Sequence, residues 1–522
     1  MKRRTLLLGA AALAAPRITR AQSKTTLKFI PYADLAMLDP IATRNYAVRN
    51  HALMVFDTLY GIDDQYQPQL QMLEGDLVEQ DGRQWTLTLR EGLRFHDGAP
   101  VLARDAVASL RRWGVRDPVG NALFAAIDEL SAPTDRTIRF RLKAAFPLLP
   151  FALGKSNSNV AAIVPERLAR TDPFKPFTEV VGSGPFRFVA NEQVAGVRAV
   201  YRRFENYVPR AGGTPSFLAG PKIVNFDRVE WHIIPDAATA AGALQAGEVD
   251  WWEFPTNEYW PALKARRELM VEVLDPTGLY AFCRLNHLNP PFNDPAVRRA
   301  ALAAISQADV QIAGYGTDPA TWRTHVGFFA PESPMASPDG MDALREPPDL
   351  DRANRLLAAS GYGGAKVLMI TTPIVPSLNA AAQVIVQAWQ RIGFNVELLA
   401  SDVASLIQRL SNKGSIDAGG WSAETDSMAG IAALDPISNP QMRGDGSAFG
   451  WPTIPRLEEL RSAWLTAPDI AARKEICRQI QLLCFDQLPY IPTGLALQPT
   501  AYSKSLTGVL RGVPLFWNVR RV

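Results

Sequence analysis

The chain has 522 residues, 47% hydrophobic and 20% charged, with 55 Lys+Arg against 52 Asp+Glu and three cysteines. That length exceeds what one hydrophobic core normally serves, so two or three lobes are expected. The near-balanced charge gives no electrostatic reason for a nucleic-acid or anionic-membrane partner.

The first residues read as an export signal over 1–21. Lys2-Arg3-Arg4 is a basic n-region, Thr5 to Ala15 is a short apolar stretch, and Thr19-Arg20-Ala21 offers a small residue before a cut ahead of Gln22. The stretch is too short to span a bilayer. Adjacent arginines followed by Thr5-Leu6-Leu7 also resemble a twin-arginine signal, although paired arginines occur in ordinary n-regions. Losing residues 1–21 lowers Lys+Arg from 55 to 50 against 52 acids, so the mature net charge is near −2. No cysteine near the cut offers a lipid anchor, and no later apolar run reads as a membrane helix. The expected location is the periplasm, in soluble form.

Beyond the signal, strands and helices alternate. Trp85 to Arg90 and Thr137 to Leu142 alternate at period two and read as half-buried strands. Asp236 caps a helix through Ala246, Gly247 stops it, and Val249 to Trp252 forms the next strand. Asp294-Pro295 opens a helix through about Ile305. Asp349 to Ser360 repeats the pattern, with Gly361 as terminator. Asn379 to Ile392 is a longer amphipathic helix that ends at Gly393 and feeds strand Phe394 to Leu399. Such alternation favours α/β lobes with parallel or mixed sheets.

Signatures of catalysis are missing: there is no Gly-x-Ser-x-Gly elbow, no His-Glu-x-x-His and no Cys-x-x-Cys. Gly154-Lys155-Ser156 looks like the end of a phosphate-binding loop, but Leu149 stands where its first glycine is needed, so it reads as an ordinary loop. His51, His96, His232, His287 and His325 show no ligand-like spacing, and no metal or other cofactor is expected. Cys477 and Cys484 lie two helical turns apart, about 10.5 Å of rise, beyond disulfide reach. With Cys283 they read as buried free thiols.

Four segments carry a resemblance. Leu89-Arg90-Glu91-Gly92-Leu93-Arg94-Phe95-His96-Asp97-Gly98 precedes Ala103-Arg104-Asp105-Ala106-Val107. Gly182-Ser183-Gly184-Pro185-Phe186 follows, then Ala243 to Asp250 with Gly247-Glu248-Val249-Asp250, then Pro291 to Ala300. In this order and spacing the chain resembles the extracytoplasmic solute-binding proteins of family 5, the dipeptide-, oligopeptide- and nickel-binding components of ABC importers. Each segment also has an architectural reading as a turn, a sharp change of direction or a helix boundary, and the motifs are not placed in the ligand site.

The resemblance implies an α/β fold: a bilobal periplasmic-binding-protein clamshell (type II) with an additional small domain and a two-segment hinge. Residues 22–57, 181–272 and 495–522 would form lobe I, 58–180 the extra domain, and 273–494 lobe II. The expected protein is a monomer, not an enzyme, that delivers a peptide-like solute to a membrane permease. A nickel chelate, an opine, an oligosaccharide, or a hydrolase or chaperone role on the same scaffold stays open.

Seven residues are candidates for the cleft. In peptide-binding relatives an acid shortly after a Gly-Trp pair meets the ligand's amino terminus. Here Gly420-Trp421 is followed by Glu424, with Asp426 close behind, and Trp421 is a candidate pocket wall. The counter-reading is a solvated acidic loop beside a core tryptophan. The arginine that clamps the ligand carboxylate in dipeptide-binding relatives should align near Thr371-Thr372-Pro373, yet no arginine occurs between Arg355 and Arg391. Arg323 is the candidate substitute. Tyr46 and Tyr280 are aromatic candidates, as is Trp252, since Trp251 and Trp252 must point to opposite faces of a strand.

Overall fold

Aspartates at helix entries set much of the local structure. Asp236, Asp294 and Asp349 sit in extended or near-extended backbone, and each side chain accepts an amide hydrogen bond from the first turn of helices Ala237–Gln245, Pro295–Ala303 and Leu350–Ala359. Gly247 and Gly361 follow two of these helices at φ of 70° and 72°, the left-handed conformation that ends a helix. The helix expected through Ile305 stops at Ala303, where the Ile305 amide turns back to the Leu302 carbonyl. The helix expected from Asn379 begins earlier, as Pro376–Arg391, because a proline suits its first position. This computed structural model describes residues 25–522, so the expected signal at 1–21 lies outside the described residues.

Two mixed sheets dominate. The first has seven strands in the order Leu269–Glu272, Thr500–Ser503, Trp251–Trp252, Thr26–Ile30, Arg228–His232, Arg198–Arg203 and Phe186–Phe188. Thr26–Ile30 runs parallel to both neighbours, and the outer pairings are antiparallel. The second has six, in the order Trp322–Arg323, Tyr490–Ala496, Leu279–Leu285, Ala423–Ala429, Lys366–Thr371 and Asn395–Ala400. Among the described residues the chain passes between these sheets twice, through 273–278 and again through 497–499. The fold is a bilobal α/β clamshell of the type II binding-protein class. Among the described residues, no helix is long and apolar enough to cross a membrane.

A separate four-stranded antiparallel sheet is built from Leu73–Glu79, Gln84–Leu89, Thr137–Leu142 and Ile127–Ser131. It is tied to the first large sheet by two of the sequence motifs. The Gly182 amide donates to His96 Nδ1 at 3.3 Å, and His96 Nε2 donates to the Gly184 carbonyl at 3.0 Å, a pattern that suits one neutral tautomer. Burial pushes the His96 pKa down to about 4, in keeping with that neutral ring. A Cβ on Gly182 would overlap the Val55 carbonyl, so glycine is required there by close backbone approach. Nearby, buried Asp57 accepts from Lys222 Nζ at 2.8 Å and Tyr207 Oη at 2.9 Å.

Lys155 is buried and paired with Asp117, its Nζ also donating to the Ser158 carbonyl at 3.1 Å, so the Gly-Lys-Ser loop is an internal brace. All three cysteines are free and buried, and burial raises their thiol pKa values. In the first lobe the Phe29 ring lies 5.8, 5.5 and 5.0 Å from those of Trp231, Trp251 and Phe516. These contacts anchor the apolar core on one face of its sheet.

Candidate functional site

The two large sheets meet through Tyr46. Asn45 caps helix Tyr46–Val55, accepting from the Ala47 amide, and this entry projects Tyr46 toward the second lobe. There the Tyr46 hydroxyl accepts a 2.8 Å hydrogen bond from the amide of Ala429, the last residue of its strand. Burial raises the Tyr46 pKa, opposed by that amide and by Arg49, while Asp426 and Asp275 push it further up. On the first-lobe side Arg49 lies 4.9 Å over the Tyr46 ring, and the Tyr32 hydroxyl donates to Asn45 at 2.9 Å.

Behind Tyr46 is a buried polar group. Glu253 accepts from the Asn50 side chain at 3.0 Å and the Tyr32 amide at 2.8 Å. Burial pushes its pKa up to about 7 against the opposition of the Tyr32 amide, Arg49 and Asn50. Arg49 Nη1 is buried without a hydrogen-bond partner among the described residues. Arg49, Glu253, Asp275 and Gln498 share a cavity of about 30 Å³, to which both crossing segments contribute.

On the second lobe, pairing register assembles a charged triad. Arg284 lies directly opposite Glu424 across the antiparallel pair Leu279–Leu285 and Ala423–Ala429, and Asp426 is its diagonal neighbour on the same face. Arg284 Nη1 donates to Glu424, Nη2 to Asp426 at 2.9 Å, and Nε to Gln441 at 3.3 Å. Its guanidinium also stands 5.3 Å from the Phe282 ring and 5.8 Å from that of Phe449, which is 42% exposed. Burial raises the Glu424 pKa, with Arg284 opposing and Asp426 reinforcing. The Glu424 side chain is 5% exposed and that of Asp426 38%, so the two acids differ in what they can reach.

The candidates divide accordingly. Tyr46, Glu424 and Asp426 are brought together. Trp421 is corrected: it is buried against Leu368, Leu406, Leu410 and Trp451, its Nε1 donating to the Leu410 carbonyl at 3.1 Å, with no free face for a ligand. Tyr280 is corrected too, being fully buried with its hydroxyl donating to the Gly327 carbonyl at 2.6 Å. Trp252 packs with Ile30, Leu244 and Leu263, while Trp251 lies in the larger core. They do take opposite faces and both are buried; Trp252 is covered, while Trp251 reaches only the small cavity it shares with Arg49 and Glu253. Arg323 sits exposed on the far edge strand, three strands or about 14 Å from the strand that bears Asp426.

Residues 67–442 match the middle region of the bacterial extracellular solute-binding proteins, family 5. A probable peptide ABC transporter periplasmic-binding protein, y4tO, of Sinorhizobium fredii (strain NBRC 101917 / NGR234) is 34% identical over 523 residues, spanning 99% of this chain and 98% of its own. The chain belongs to this family. Among solved structures similar to it, the periplasmic binding protein DppA of Helicobacter pylori in complex with peptide STSA has a TM-score of 0.76 at 19% identity, covering 95% of this chain and 98% of that one. The binding protein AgaA of A. tumefacien R10 in complex with agropinic acid has a TM-score of 0.75 at 20% identity, covering 95% and 99%.

Within that family frame, sequence reasoning missed Arg284, Arg49 and Glu253. Arg284 had one visible signal, a lone charge in the otherwise apolar strand Leu279–Leu285. Glu253 follows the Trp pair, and Arg49 is a buried cation on an almost wholly buried helix; neither position repeats a motif.

Proposed function

We propose that this protein is the extracytoplasmic solute-receiving component of an ABC importer, and that it closes its two lobes over a peptide or peptide-like solute beside Tyr46 and Asp426. The lobes would be residues 25–57 with 181–272 and 500–522, and residues 279–496, since Leu495 and Ala496 lie in strand Tyr490–Ala496 of the second sheet and not, as expected, in lobe I; 58–180 forms the extra domain, and 273–278 and 497–499 act as the hinge. The chain works as a monomer after loss of residues 1–21, performs no chemistry on the solute and hands it to a membrane permease.

The observation that carries the reading is the Tyr46–Ala429 bridge beside a half-exposed carboxylate. Arg284 is shared between the two acids, and Asp426 is the member open to a ligand ammonium. Glu424 is the acid that holds Arg284 in place. Arg49, with Nη1 unfilled, offers a donor to an acceptor on the same solute.

A second reading, an opine or other non-peptide solute, is favoured by one fact: no arginine occurs between Arg355 and Arg391 to clamp a peptide carboxylate. A thermal-shift screen decides between them, using protein stripped of co-purified solute and di- to pentapeptides, glutathione, opines, sugars and nickel chelates as probes. A ligand at about 100 times its Kd adds roughly 2.7 kcal/mol to stability. Shifts confined to peptides support the first reading, shifts confined to opines the second, and silence across all classes would overturn both.

A further inference from the structure

A cavity of about 160 Å³ lies away from the Tyr46–Asp426 site and shares none of that site's residues. Its walls come from two parts of the chain that are distant in sequence. Tyr66, Pro147 and Phe151 form one side, and Met335, Leu434 and Trp464 the other, with the Phe151 and Trp464 rings edge to face at 6.3 Å across the seam.

Two opposite charges interrupt this apolar lining. Arg473, in the first turn of helix Ile470–Gln487, has its Nε buried with no hydrogen-bond partner among the described residues. Asp435 is 3% exposed, and its Oδ1 accepts from the Ile437 and Ser438 amides at 2.9 and 2.8 Å. Asp435 and Arg473 both line the cavity. An unfilled buried guanidinium donor costs stability until an acceptor reaches it. A simple anion filling that donor would share the cavity with Asp435, and a simple cation drawn to Asp435 would share it with Arg473. A dipolar molecule satisfies both at once. The volume is close to that of cavities of about 150 Å³ that take up a benzene ring, which suits one large apolar side chain and not a peptide.

We infer that this seam cavity binds a free zwitterionic amino acid with an apolar side chain, its carboxylate on Arg473, its ammonium on Asp435 and its side chain between Phe151 and Trp464. The inference does not rest on which solute the cleft takes.

Calorimetric titration of the protein with L-phenylalanine, 3-phenylpropionate and phenethylamine tests the assignment. L-phenylalanine should bind with one equivalent and at least tenfold more tightly than either half-molecule. Arg473→Gln should weaken L-phenylalanine and 3-phenylpropionate at least tenfold and leave phenethylamine unchanged, whereas Asp426→Asn should leave L-phenylalanine binding intact. No binding of L-phenylalanine, equal binding of 3-phenylpropionate, indifference to Arg473→Gln, or loss of binding in Asp426→Asn would each overturn the inference. The last would return the amino acid to the cleft.

Discussion

Replacing Glu424 by glutamine separates an acid that serves the fold from one that serves the solute. Arg284 and Glu424 side chains are 3% and 5% exposed, so their pairing is shielded from water. Removing one partner of a buried ion pair costs about 3–5 kcal/mol, because the other charge is left desolvated and uncompensated. Here Asp426 keeps its 2.9 Å bond to Arg284, and the glutamine carbonyl still accepts from Nη1, which places the expected loss near the lower end, about 3 kcal/mol. Asp426 is 38% exposed, so Asp426→Asn should cost about 1 kcal/mol or less. Binding should show the reverse order. Loss of a charged hydrogen bond to a ligand ammonium costs about 1.5–3 kcal/mol, roughly a 10- to 150-fold weaker Kd, in Asp426→Asn. Urea denaturation followed by tryptophan fluorescence gives the stability arm, and titration with the solute from the screen gives the affinity arm. An unchanged urea midpoint in Glu424→Gln together with a large loss of affinity would refute the assignment, since Glu424 would then face the ligand and not Arg284.

Three further outcomes follow from the same geometry. Gly182→Ala should lower the melting temperature through overpacking worth about 1–3 kcal/mol or more, because the neighbouring Val55 carbonyl is backbone and cannot rotate away. Asp57→Asn should cost about 3 kcal/mol or more, measured by urea midpoint, because it leaves buried Lys222 without its carboxylate. The Glu253 carboxyl holds its proton in the folded state up to about pH 7, against the usual value of 4.5. The unfolded chain therefore ionises first, and the contribution of Glu253 to stability should fall as pH rises from about 4.5 to 7 and level off above. Glu253→Gln should remove that part of the slope, which is about 1.4 kcal/mol for each step of one in pH inside this window; a slope identical to that of the parent would count against it. On the acid side His51, His96 and His287, held near 3, 4 and 3 by burial, should add a loss of stability as pH falls below 6.5.

Local chemistry was the legible part of this protein. Aspartate caps, prolines at first helical positions and glycines after helices located the elements within a few residues, since each depends on its immediate neighbours. Period-two alternation placed Trp251 and Trp252 on opposite faces, but it carries no information on whether a face is covered, and here both side chains are buried. The candidate site was half legible. The acidic pair Glu424 and Asp426 stood out, yet Arg284 joins them across 140 and 142 positions by strand register alone, which no local pattern records. Tyr46 was named from its place after the first strand, whereas its partner is a backbone amide 383 positions away and has no residue signature at all.

Strand Thr500–Ser503 lies inside the first sheet, hydrogen-bonded to Leu269–Glu272 on one side and Trp251–Trp252 on the other, and Trp251 Nε1 donates to Thr500 Oγ1 at 2.6 Å across 249 positions. A chain emerging from the ribosome therefore holds two unpaired strand edges and an uncovered Trp251 while the whole second lobe is still being made. Completing the first-formed sheet is among the last events of folding, so long-range closure sets the pace. The interval leaves a long window in which a holdase can keep the chain unfolded.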